Sequence, residues 1–111
     1  MVATLASPPT TSIHLPDLIQ YPASGVYSRI LARDAVCRSS LFCLTAGTEI
    51  DKHTAPHNAT IHIVEGAGKL TFQNEARFLE AGRFITVPAQ IPYAIKALSN
   101  MTFVLTHSVN I

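Results

Sequence analysis

The stretch GTEIDKHTAPHNATIHIVEGAGKLTF, residues 47–72, decides the fold, and LEAGRFITVPAQIPYAI, residues 79–95, completes it. Both are built from short apolar runs closed off by Gly, Pro or Asn. Turn signals recur at 56–58, 65–66, 74–75, 81–82, 90–92 and 99–100. The runs between them, 59–65, 67–73, 76–80, 83–88, 92–97 and 101–109, have the length of strands. Many short strands with turns between, and no long stretch of helical periodicity, predict an all-β sandwich or barrel.

Upstream, residues 27–32 and 36–45 also have strand character, with a turn at 33–35. On the second of these, Phe42 and Leu44 share one face and Leu41 and Cys43 the other, so burial on both sides is expected. Pro16 favours a single helical turn within 13–21. Residues 1–26 are expected as an N-terminal arm and lead-in, and 27–111 as the barrel domain.

At 111 residues the chain is long enough for a single core. It is 48% hydrophobic and only 14% charged. So apolar a composition predicts surface covered by a partner, most simply a second copy in a homodimer. A net charge of +1 gives no basis for nucleic-acid binding. No apolar run reaches membrane-spanning length, and residues 1–18 lack the pattern of a secretory leader, so a cytoplasmic protein is expected. Cys37 and Cys43 lack a C-x-x-C spacing and are expected as free thiols.

The two quoted blocks resemble the motifs of the cupin superfamily, specifically its small single-domain conserved-barrel members. Gly47, His53 and the apolar strand 60–66 match the first motif, a Gly, a His-x-His pair, a Glu and a strand ending in Gly. Gly82, Pro88, Pro92 and the strand that follows match the second. The resemblance covers most of 41–108 and implies a single-domain cupin barrel, the double-stranded β-helix or jelly roll. It also implies a metal cage, whose four ligand positions fall on His53, Ala55, Ala59 and Tyr93. One imidazole survives with one phenol, and the carboxylate position holds a methyl group.

That donor set is poor for zinc, iron, manganese or nickel, which favour three or four side-chain ligands. No cofactor is therefore expected. The alternative is a divalent transition metal on a non-standard set, His53 with His57 or Tyr93. In the metal-free reading, the Tyr93 hydroxyl hydrogen-bonds the His53 imidazole.

Strand alternation turns Ile61 and Ile63 inward and His62 outward. Tyr93, Ile95 and Ala97 share a face, and Phe84 and Leu105 are expected to join them around an apolar interior. His57 is expected at an exposed loop tip, and His107 as a satisfied interior or rim residue. Such an interior is either a pocket for a small apolar ligand or a plain filled core. Three functions follow: a small-molecule-binding or regulatory module, a metal-dependent dioxygenase- or isomerase-like enzyme, or a self-associating structural protein. The first is favoured.

Overall fold

A computed structural model describes residues 10–108, so the first nine residues of the expected arm lie outside the described residues. It contains nine strands: β1 (Val26–Arg33), β2 (Cys37–Leu44), β3 (Glu49–His53), β4 (Ala59–Glu65), β5 (Ala67–Phe72), β6 (Glu75–Glu80), β7 (Phe84–Val87), β8 (Tyr93–Ala97) and β9 (Met101–Ser108). They form two antiparallel sheets, ordered β1-β2-β9-β4-β7 and β3-β8-β5-β6. The sheets face one another as a jelly-roll barrel. Strands expected at 59–65, 67–73 and 101–109 reappear with ends displaced by a residue or less, residue 109 lying outside the described residues. The helical turn expected within 13–21 is a 3₁₀ turn at Leu15–Leu18 with Pro16 near its start.

Period-two alternation explains the core. On β4, Ala59, Ile61 and Ile63 are buried while His62 is exposed. The opposing sheet contributes Leu70, Leu79, Tyr93, Ile95 and Ala97, and β9 adds Met101 and Phe103. Burying each large aliphatic side chain here contributes about 1.5–3 kcal/mol. Phe42 and Phe103, directly opposed across β2 and β9, stack with ring centroids 5.2 Å apart.

Two local devices set the corners. Gln73 and Asn74 both adopt positive φ, forming the two-residue hairpin loop between β5 and β6 whose twist matches its strands. Gly66 is the single residue joining β4 in one sheet to β5 in the other. Its φ is +86°, and a Cβ there would run into the Asn100 carbonyl.

β2 is buried on both faces, as its alternation predicts, because the lead-in segment covers the outer side. Tyr21 Oη donates to Glu65 Oε2 at 2.6 Å and lies 2.7 Å from Thr102 Oγ1. Thr102 is fully buried and pairs with the equally buried Cys43. Thr45 Oγ1 donates to the Pro22 carbonyl at 2.6 Å and fixes the same segment. Cys37 and Cys43 are free thiols. They sit six residues apart along one strand, too far to bridge. No described helix is long and apolar enough to cross a membrane.

Two outcomes test this packing. Gly66→Ala combines an unfavourable φ with a backbone clash, so it should cost roughly 2 kcal/mol or more in denaturant unfolding, with no compensating repacking. Burial and the Glu65 carboxylate push the Tyr21 hydroxyl up from 10.0 to about 12. The folded protein therefore holds a proton that the unfolded chain gives up between those values. Stability should be intact below pH 10 and fall as pH rises towards 12, and Tyr21→Phe should flatten part of that slope in pH-dependent melting.

Candidate functional site

One end of the barrel, beyond the last filled layer of the core, opens into a cavity of about 470 Å³. Strand register puts its walls together. On the larger sheet, Arg38 of β2 pairs with His107 of β9, which pairs in turn with Ala59 of β4. On the facing sheet, His53 of β3 pairs with Tyr93 of β8. The loop after β3 adds Ala55, Pro56 and His57 to the rim. A smaller lobe of about 80 Å³ extends inward, sharing His53, Tyr93 and Leu105 and bounded by Phe42, Ile50 and Phe103.

The residues expected to converge do so in part. His53, His57, Tyr93 and Leu105 all border the main cavity. Ile95 borders the inner lobe, while Ile61 and Ile63 are fully buried core residues. Phe84 differs: it is 61% exposed and outside both spaces. It stands directly opposite His62 across β4 and β7, and paired residues share a face, so both turn outward. Ile85, opposite Ile61, takes the inward place. Phe84 borders instead a groove of about 410 Å³ with Phe78, Arg77 and Arg83, which meets the barrel-end cavity at Tyr93.

Ala55 also differs from expectation. β3 ends at His53, so Ala55 lies in the loop that leads through Pro56, where its carbonyl accepts the Gln90 amide at 2.9 Å. Ala55 and Ala59 nevertheless line the cavity beside His53 and Tyr93. All four positions that the resemblance assigns to metal ligands thus face one space.

The chemistry of these groups is specific. His53 Nδ1 donates to the Asp51 carbonyl at 3.1 Å, which leaves Nε2 as its acceptor. The His53 and Tyr93 rings meet at a centroid distance of 4.5 Å and a tilt of 52°, so aromatic packing joins them in place of the expected hydrogen bond. Burial raises the Tyr93 pKa above the ordinary phenol value and keeps the hydroxyl a neutral donor. A phenolate ligand is correspondingly costly. Among the described residues, no three His, Cys, Asp or Glu side chains converge as a metal-holding group. The four motif positions thus offer one imidazole, one phenol and two methyl groups.

Sequence reasoning missed Arg38. Its Nη2 donates to His107 Nε2 at 3.2 Å, while His107 Nδ1 donates to the Ser108 carbonyl at 3.0 Å. A guanidinium can only donate and a carbonyl only accept, so this arrangement requires the neutral Nδ1–H imidazole. Only the cross-strand register, separated by 69 residues of chain, brings the two together. His57 is half-buried, not an exposed loop tip, and its Nδ1 is buried without a partner.

Comparison with known proteins accords with this geometry. Residues 40–109 match the Cupin domain family. No curated protein matches the chain. Among solved structures, a conserved protein of unknown function from Streptococcus pyogenes is similar at 24% identity and a TM-score of 0.81, covering 97% of this chain and 95% of that one. A cupin superfamily protein from Desulfitobacterium hafniense is similar at 20% identity and a TM-score of 0.83, covering 98% and 100%. A mutant of salicylate 1,2-dioxygenase from Pseudoaminobacter salicylatoxidans is similar at 22% identity and a TM-score of 0.72, over 78% of this chain and 28% of the dioxygenase. At these identities the structures share the fold. With a family match over more than half its length, two facing antiparallel sheets and an open barrel end, the chain belongs to the cupin domain family.

Proposed function

We propose that this protein is a small-molecule-binding module whose ancestral metal cage is dismantled. The observation that carries this reading is the lining of the barrel-end cavity. Ala55 and Ala59 stand where the cupin motif places an imidazole and a carboxylate, and both present methyl groups to the same space as His53 and Tyr93. Removing two donors leaves room and an apolar wall, while the remaining polar tips can orient a ligand. A few hundred cubic ångströms with mixed walls suits a small organic molecule.

The competing reading is a transition-metal enzyme using His53, His57 and Tyr93. In its favour, all three border one cavity, and a dioxygenase shares the fold. Against it stand the neutral Tyr93 hydroxyl and the missing carboxylate. Elemental analysis of protein purified without chelators or an affinity tag separates the two. Stoichiometric zinc, iron, manganese or nickel would sink the binding-module reading.

Two variant experiments follow. In titrations of small aromatic compounds followed by NMR, His53→Ala should weaken binding by about tenfold, and His62→Ala, on the outer face, should leave it unchanged. Equal losses would contradict the placement of the site. The triple variant A55H/A59E/Y93H restores the ligand set implied by the cupin motif and should retain a divalent metal through gel filtration. A triple variant that folds and stays metal-free would show that these positions do not converge.

A further inference from the structure

Among the described residues, two buried side-chain nitrogen or oxygen atoms have no hydrogen-bond partner: Arg38 Nε and His57 Nδ1. Both belong to residues that line the barrel-end cavity. Leaving a buried polar atom unpaired is costly, and natural proteins keep such groups rare. Two residues with unmet hydrogen-bonding capacity therefore line one space, although the two atoms themselves are closed off from it as the chain stands.

The charge of that space narrows the chemistry. Its walls carry a guanidinium and three histidines and no carboxylate. Arg38 makes no ion pair among the described residues. Asp34, the acid nearest to it in sequence, is occupied in the β1–β2 turn, where Oδ1 accepts the Val36 and Cys37 amides at 2.9 and 2.8 Å. The partner Arg38 does have, His107, is neutral in this geometry and only steers the guanidinium. An arginine so oriented and lacking a counter-charge is a ready site for a planar anion, which it can engage with two parallel hydrogen bonds.

We propose that the cavity binds a small amphipathic organic acid. Its carboxylate lies against Arg38 and His57, and its apolar part against Ala59, Leu105 and the Tyr93 ring, reaching towards the inner lobe. An inorganic anion would leave those apolar walls unmatched. This inference rests on the binding-module reading and names the ligand class for the same cavity. Arg38 is the recognition residue, and His107 is a positioning residue that acts through it.

Calorimetric titration of the intact protein with benzoate and with benzamide, its neutral counterpart, tests the inference. Benzoate should bind at least about tenfold more tightly, and added chloride should weaken benzoate without affecting benzamide. In Arg38→Met, the preference should vanish through loss of benzoate affinity alone, while Arg38→Lys retains part of it. Should Arg38→Met fail to fold, the chloride dependence of the wild-type protein decides the matter. Equal affinity for acid and amide, or benzoate binding indifferent to chloride, would overturn the anion assignment and leave the binding-module reading standing. Inorganic phosphate binding more tightly than benzoate would overturn the amphipathic assignment. If neither benzoate nor benzamide nor any other small aromatic compound binds, both readings fall together.

Discussion

The central ladder of the larger sheet, with β9 hydrogen-bonded between β2 and β4, is the constraint on which the rest of the structure depends. Its register aligns Phe42, Phe103 and Ile63 in one row and Arg38, His107 and Ala59 in another. The first row lies in the core, where aromatic stacking and aliphatic packing fix the separation of the two sheets. The second lies at the open end, where no facing side chain fills the space. A one-residue slip of β9 would turn Phe103 outward, so the packing of the first row enforces the geometry of the second. Core and site are thus one register seen at two depths.

The lead-in segment acts on the same ladder from the other side. By placing Tyr21 over Thr102 and Cys43, it makes the Leu44–Met101 end of β2 and β9 inaccessible on both faces. A two-sided burial of this kind holds the strands more firmly than the edge strands β1 and β7, which keep Ile30 and Phe84 in solvent. The covered Cys43–Thr102 pair lies near one end of this ladder, and Arg38 and His107 lie near the other.

In the proposed reading, the barrel end keeps a cavity where the metal cage of the cupin motif is dismantled. Replacing an imidazole and a carboxylate by methyl groups removes the negative charge that balances a dication, and a buried phenol does not restore it. In that reading, what remains favours an anionic ligand. The Arg38 guanidinium, kept in place by a neutral imidazole, becomes the dominant charge of the barrel end.

Alternation and turn spacing alone determined the all-β class, most strand limits, the inward turn of Ile61 and Ile63 and the outward turn of His62. These are local properties, since successive side chains point to opposite faces whatever the partner strand. The motif carried His53, Ala55, Ala59 and Tyr93 to one region, but it left Phe84 on the wrong side. A strand's own alternation does not say which of its two faces is inside; that depends on pairing, and Phe84 opposes His62. For the same reason Arg38 gave no signal: its neighbour His107 is distant in the chain, and only the ladder of β2 with β9 makes them adjacent. The tertiary structure decided the register, the unpartnered buried nitrogens and the charged lining of the cavity, because each arises from which strands meet and not from the order of residues along any one of them.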